Sequence, residues 1–242
     1  SLLLMMKNDI WLDKINRTIG NTIIKNNHYS GTVNAGTKYT LGVFHKDYGL
    51  CGVIQLGTGV NPSKTKDWVK GTNTNEFLEL NRLWVGDELG KNSESHILSL
   101  MIKWVKKHNP KIQWLVSFAD GAEGKVGTIY QASNWVYSGY NHRGGIWYDK
   151  DGNRYHGVKL HLLYGDTKRK TLEEHLGTPL YRVVGGQFRY FYFLNHKARK
   201  NYIGKTKPYP KHSELRKYLK IKKSNWETED LWDEFNKLLS NK

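Results

Sequence analysis

Residues 77–116 read FLELNRLWVGDELGKNSESHILSLMIKWVKKHNPKIQWLV, and their order decides the fold class. Phe77 to Val85 is a near-continuous apolar run interrupted by Glu79, Asn81 and Arg82, which predicts a largely buried strand. A helix is expected to open near Asn92 or Ser93, since either suits an N-cap. Ile97, Leu100, Met101, Trp104 and Val105 form its inward stripe, and Pro110 lies just past its end. Ile112 to Val116 predicts the next strand. A strand–helix–strand unit of this kind belongs in an α/β layer with a central, partly parallel sheet.

Working outward, residues 8–27 carry Ile10, Trp11, Ile15, Ile19, Ile23 and Ile24 at roughly helical spacing and predict one helix, stopped at Asn26 to Gly31. Thr40 to His45 and Leu50 to Leu56 predict a hairpin turning at Asp47-Tyr48-Gly49. Residues 57–75, rich in Gly, Asn, Thr and Lys, predict a mobile loop. Downstream, Gly124 to Ser133 predicts a short helix leading into a strand at Trp135 to Tyr137. Strands are expected at 145–149 and 155–164, with a turn around Asp151-Gly152. The last stretch opens with a Ser224-x-x-Glu227 capping box. Leu231, Trp232, Phe235, Leu238 and Leu239 then share a face that predicts docking on the body or on a partner.

The 242 residues suffice for a large core, and 38% hydrophobic with 13% aromatic residues excludes a disordered chain. Lys and Arg number 38 against 22 acids, a formal charge of +16, which predicts attraction to a polyanion. From His196 to Lys223 there are eleven Lys or Arg and one acid, so this segment alone carries +10. Tyr202, Tyr209 and Tyr218 are interleaved with the charges, a pattern suited to polyphosphate and bases, although a solvated tail has the same composition. The terminal apolar run Leu2 to Met6 falls far short of the ~20 residues of a spanning helix. Cys51 is the single cysteine, which excludes a disulfide framework and a cysteine-based zinc site. The chain reads as intracellular. No HExxH, Walker or GxSxG sequence occurs, so zinc proteolysis, P-loop hydrolysis and the nucleophile elbow lose support.

Arg82 shares a strand face with Leu78, Leu80 and Trp84 and needs an anionic partner. That partner is either an acid such as Glu79 or Asp120, or a ligand phosphate or carboxylate. Asp120 falls after an apolar strand, where α/β ligand groups gather, but an Asp before Gly is also an ordinary turn residue. Tyr130 reads equally as a core tyrosine with a satisfied hydroxyl and as a proton donor near a leaving group. His28 and Tyr29 sit at a helix end, where a lone His commonly serves the helix dipole.

His28-Tyr29-Ser30-Gly31, Asn81-Arg82-Leu83, Ser117 to Gly121, Gly127 to Ala132 and Pro208-Tyr209-Pro210-Lys211 occur in this order. Together they resemble the phage Mom family of adenine-modification proteins over residues 20–211. The resemblance implies the fold of the GCN5-related N-acetyltransferases: an α/β (α+β) chain with a mixed central sheet flanked by helices. It implies conversion of DNA adenine to an N6-carbamoylmethyl base that shields phage DNA from restriction, in the host bacterial cytoplasm. It further implies an iron site at His28, Tyr29 and Asp120, acetyl-CoA held by Arg82, and catalytic roles for Tyr130, Asp120 and Tyr29. The usual acetyltransferase pyrophosphate loop is replaced by Glu88 to Ser95 with one glycine, where Lys91 and Ser93 at the helix start can still hold phosphate.

The expected organisation is an acyltransferase-like domain over 1–195 and a basic extension over 196–242 that ends in an amphipathic helix. Double-stranded DNA is the expected partner, gripped by the 57–75 loop and by Lys197, Arg199, Lys200, Lys205, Lys207 and Lys211. The target adenine would flip into a pocket lined by Asp120 and Tyr130. The alternatives are a CoA-dependent N-acetyltransferase acting on a protein, small amine or amine-bearing base, and a non-catalytic DNA-binding protein.

Overall fold

A computed structural model describes residues 9–142, 144–222 and 228–240. Ile10–Lys14 (β1) runs antiparallel to Thr37–His45 (β2), with Ile10 opposite His45 and Lys14 opposite Leu41. This corrects the single helix expected over 8–27. Helix α1 begins only at Arg17 (Arg17–Asn27), where Asn16 Oδ1 accepts the Thr18 N–H at 2.8 Å. That cap is the physical divider between strand and helix.

Gly49–Gly57 (β3) and Phe77–Val85 (β4) extend the antiparallel run. Residue pairing between β3 and β4 shifts between Gln55↔Arg82 and Leu56↔Leu80, so Asn81 is the extra residue of a bulge. Trp114–Asp120 (β5) pairs with β4 in parallel from Phe77↔Trp114 to Glu79↔Val116. With Val136–Asn141 (β6) and Gln187–Phe193 (β10), the seven-stranded order is β1-β2-β3-β4-β5-β10-β6. The expected mixed central sheet is therefore present. Ser93–His108 (α3) joins β4 to β5 as predicted, burying Ile97, Met101, Trp104 and Val105. Leu98 and Ile102 are buried beside them.

Residues 57–75 are ordered rather than a mobile loop. Asn61 caps the short helix Pro62–Thr65 (α2), and a 3-10 turn follows at Lys66–Trp68. Val69 is fully buried with Phe77, Trp114, Val116, Phe191 and Ala198. Thr72 Oγ1 accepts from the Trp114 indole at 3.3 Å. An Asn-Pro start and a buried valine give this segment its own anchor.

By packing, the chain forms two units interleaved in sequence: Ser1–Phe118, Thr128–Ser138 and Arg189–Lys207, then Ala119–Gly127, Gly139–Phe188 and Pro208–Lys242. The first unit thus retains the start of the basic segment. Val69 bridges Tyr202, Lys70 N donates to Asn201 O at 2.9 Å, and Ile203 N donates to Trp68 O at 3.0 Å.

The second unit has a four-stranded sheet made of Gly145–Tyr148 (β7), Arg154–His156 (β8), Tyr181–Gly185 (β9) and Leu219–Lys222 (β11), ordered β11-β9-β7-β8. The strand expected over 155–164 ends at His156, and Gly157–Tyr164 (α5) is helical. Leu160 anchors α5 in a cluster with Trp147, Leu172 and Leu180; Leu172 comes from Arg169–Leu176 (α6). The last helix, Thr228–Ser240 (α8), docks within this unit: Phe235 meets Tyr148 edge-on at 5.6 Å, and Arg216 lies 4.8 Å from the Trp232 ring. Its expected capping box at Ser224 and Glu227 lies outside the described residues.

Candidate active site

In the first unit, chemistry-bearing side chains gather where β4 and β5 run past their paired residues. Ser117 Oγ donates to Leu80 O at 3.1 Å and lies 2.8 Å from Tyr130 Oη. Since the serine proton is used on the carbonyl, Tyr130 is the donor of the second bond. Tyr130 sits on the short helix Thr128–Ala132 (α4), with Trp135 at 5.1 Å and Tyr190 at 5.2 Å. Burial outweighs the Ser117 hydrogen bond and pushes its phenol up to about 12. Tyr130 is therefore protonated at neutral pH, able to give a proton and unable to act as a base.

Sequence reasoning treated Glu79 only as an ion-pair partner for Arg82. Instead its carboxylate accepts from Asn81 Nδ2 at 3.1 Å, and burial raises its pKa against the lowering effects of Asn81 and Arg82. Its charge also acts on Tyr130. Asn81 Oδ1 is buried without a hydrogen-bond partner at the bulge. A buried acceptor in that state is costly unless a ligand donor meets it. The signal in the sequence was a glutamate inside an apolar strand.

Arg82 is turned to the protein. Its Nε donates to Thr32 O at 3.0 Å, Nη1 to Asn81 O at 2.6 Å and Nη2 to Thr32 Oγ1 at 3.2 Å. Burial lowers its pKa, while Tyr29 and Glu79 act in the opposite direction. The guanidinium thereby ties the segment after Tyr29 to the bulged strand. Tyr29 is 37% exposed, with its ring 4.2 Å from that of His28.

His28 Nδ1 lies 2.8 Å from Ser30 Oγ and 3.2 Å from Ser30 N, so the turn after α1 holds the ring in place. Among the described residues, no group of three or more His, Cys, Asp or Glu is placed to hold a metal ion. Of the expected iron ligands, His28 and Tyr29 belong to the first unit and Asp120 to the second.

The start of α3 forms a second feature of the same unit. Ile10, Leu89, Gly90, Lys91, Ser93 and Ala132 are among the residues around a cleft of about 520 Å³. Asn92 occupies the cap position in the left-handed region (φ 67°) and makes no side-chain cap, contrary to expectation. The Ser93 hydroxyl turns to Gly90 O at 2.9 Å. First-turn N–H groups thus remain without a side-chain cap beside Lys91, an arrangement suited to phosphate oxygens. Ser93 would contribute its backbone N–H rather than its hydroxyl.

Asp120 ends β5 and belongs to the second unit. Its Oδ1 accepts from Ala122 N at 3.0 Å. Burial and then Glu123 raise its carboxyl to about 6, against the lowering effects of the Ala122 bond and Lys125. Glu123, itself 2% exposed, is paired with Arg154.

Lys197, Arg199 and Lys200 on the helix His196–Asn201 (α7) are exposed, as are Lys205 and Lys207. All five belong to the first unit, whereas exposed Lys211 is in the second. Of the interleaved tyrosines only Tyr209 is exposed (43%). Tyr202 packs on Phe191 at 4.8 Å, and Tyr218 meets Tyr140 and Phe188 edge-on at 4.9 and 5.1 Å. Among the described residues, no helix is long and apolar enough to cross a membrane.

The fold and site define a mixed α/β protein with a helix start that has no side-chain cap and a tyrosine–serine pair beside the parallel strands. The chain belongs to the Mom protein family, whose model matches residues 9–211. It is 33% identical over 209 residues to the methylcarbamoylase mom of Escherichia phage Mu, covering 84% of each chain. Among solved structures it is similar to a spermidine/spermine N-acetyltransferase from Vibrio cholerae (TM-score 0.47, 10% identity, 81% of this chain and 98% of that one). It is also similar to a GNAT-family N-acetyltransferase from Escherichia coli in complex with CoA (TM-score 0.38, 8% identity, 52% and 68%).

Proposed function

We propose that this protein is a transferase that modifies adenine in duplex DNA to a carbamoylmethyl-type base at N6, with an acyl-CoA-type molecule bound as cofactor. The observation that supports this reading most is its 33% identity over 209 residues with the phage Mu methylcarbamoylase. A relative from an Escherichia phage supports a phage-infected bacterial cell as the setting, with the cytoplasm as the proposed compartment.

The cleft at the start of α3 suits the cofactor's diphosphate, with Lys91 and the Ser93 N–H as contacts. An acyl-CoA bound there would supply an activated thioester carbonyl. Arg82 anchors the Tyr29 segment and keeps one N–H on each terminal nitrogen for the cofactor. Tyr130 holds its proton on Oη, available to a leaving group, and Ser117 fixes the direction of that proton. Adenine N6 sheds a proton when it forms a new bond to carbon. Asp120, with a pKa of about 6, is ionised at neutral pH and is the candidate carboxylate to take that proton. Lys197, Arg199, Lys200, Lys205, Lys207 and Lys211 contact backbone phosphates. No step runs through iron.

Nucleoside mass spectrometry on DNA from bacteria that express the chain tests the reading. A carbamoylmethyl-type deoxyadenosine is the expected product. Release of CoA with an acetylated amine and unmodified DNA would replace the reading with the amine acetyltransferase.

A further inference from the structure

Arg189, on β10 in the first unit, was not among the expected site residues. Its Nε donates to Ser138 Oγ at 2.8 Å. Its guanidinium carbon lies 4.4 Å from the Trp68 ring centroid and 5.7 Å from that of Phe191. Burial lowers its pKa, while the phenols Tyr202 and Tyr137 act to raise it. None of the ion pairs among the described residues includes Arg189. The hydroxyl of Tyr202, one of those two phenols, is buried without a hydrogen-bond partner.

A guanidinium withdrawn from water without a carboxylate costs stability. Here it is also held rigid, because Trp68 covers one face and Ser138 fixes Nε. Both terminal nitrogens keep their N–H groups, the edge that suits two phosphate oxygens. The surroundings are cationic. Trp68 O accepts from Ile203 N, and Lys70 N donates to Asn201 O. These bonds bring the chain around Lys70 alongside that around Lys197, Arg199, Lys200 and Lys205, while Lys66 is paired with Asp67 at 2.8 Å.

We propose that Arg189 is a preorganised clamp for a phosphodiester of the nucleic-acid backbone, set where the 64–72 and 196–207 segments join. The inference rests on the DNA reading above and identifies a specific contact within it. The exposed lysines supply long-range attraction, and Arg189 supplies one oriented contact that fixes where the strand lies.

The test uses the full chain and a fluorescein-labelled duplex titrated across NaCl concentrations, for wild type, Arg189→Met and Arg189→Lys. Each neutralised phosphate contributes about 0.9 to the slope of log affinity against log salt. Arg189→Met is expected to flatten that slope by about one unit and weaken binding about tenfold. Its urea midpoint should equal or exceed wild type, because a half-buried charge without a carboxylate partner has gone. Arg189→Lys should keep the slope but lose severalfold in affinity, and it serves if the methionine variant does not fold. An unchanged slope with a lowered urea midpoint would overturn the proposal and make Arg189 a structural residue. Acetyl-CoA binding, measured by calorimetry, should be unaffected by Arg189→Met. A tenfold loss there with duplex binding intact would assign the phosphate to the cofactor and equally overturn it. Nucleoside analysis of wild type separates the two readings, since failure to modify DNA removes the DNA function whatever Arg189 binds.

Discussion

Replacing Tyr130 by Phe removes a single oxygen from a ring that keeps its packing on Trp135 and Tyr190. The lost interaction is one neutral hydrogen bond of 2.8 Å to Ser117 Oγ. Ser117 retains its donor bond to Leu80 O, so no buried donor is left unsatisfied. The cost to folding is therefore about 1 kcal/mol, the net value of one such bond. If Tyr130 supplies a proton in the reaction, the rate falls about 10²–10⁴-fold, the usual contribution of a positioned acid. Urea denaturation gives the first quantity. Timed nucleoside mass spectrometry on a purified duplex gives the second, with duplex affinity unchanged. A variant that modifies DNA at the wild-type rate while losing about 1 kcal/mol would make Tyr130 a satisfied core tyrosine and refute its assigned role.

Asp120 makes a pH prediction of definite sign. A carboxyl raised from 3.8 to about 6 on folding is bound to its proton more tightly in the native state. Its favourable contribution is present below 3.8 and lost as pH rises through about 6, a difference on the order of 3 kcal/mol at about 1.4 kcal/mol per unit. Asp120→Asn should lack this dependence in urea melts from pH 4 to 7, whereas parallel curves for variant and wild type would remove the burial argument. The modification rate of wild type should rise with pH to an inflection near 6, and a flat profile across that range would exclude Asp120 as the base. At the start of α3, Lys91→Glu should weaken acetyl-CoA binding about tenfold by calorimetry, while Ser93→Ala stays within about twofold because its hydroxyl faces Gly90 O. The reverse ranking would place the diphosphate elsewhere. Neutralising Lys197, Arg199 and Lys200 together should flatten the salt slope of duplex binding by about two to three units; an unchanged slope would take α7 out of the DNA surface.

The central strands were legible because burial there leaves a plain record in composition. Phe77–Val85 and the helix from Ser93 match their predicted extents closely, since both are apolar runs bounded by polar caps. The misreadings have physical causes. Val158, Leu160, Leu162 and Tyr164 alternate like a strand, yet α5 buries Leu160 and leaves Val158, Leu162 and Leu163 at 55–76% exposure. Periodicity misleads when apolar residues do not face the core. Ile10–Lys14 merged with the following helix because isoleucine spacing ran across Asn16, whose capping role overrides it.

The ordered motifs singled out Tyr29, Arg82, Ser117, Asp120 and Tyr130 as candidates. They could not show that Arg82 would bond Thr32 rather than an acid, because that depends on the chain bending back fifty residues away in sequence. Glu79 and Arg189 went unassigned for the same reason. A charge inside an apolar strand announces that something unusual is buried, but its partner is known only from tertiary packing.

The central claim is that this chain modifies adenine in DNA, and it is tested most directly by nucleoside mass spectrometry. DNA would be taken from bacteria expressing the wild-type chain and, in parallel, the Asp120→Ala variant. The account predicts a new carbamoylmethyl-type deoxyadenosine that disappears in the variant. Unmodified deoxyadenosine in the wild-type sample, with the protein present and folded, would contradict it.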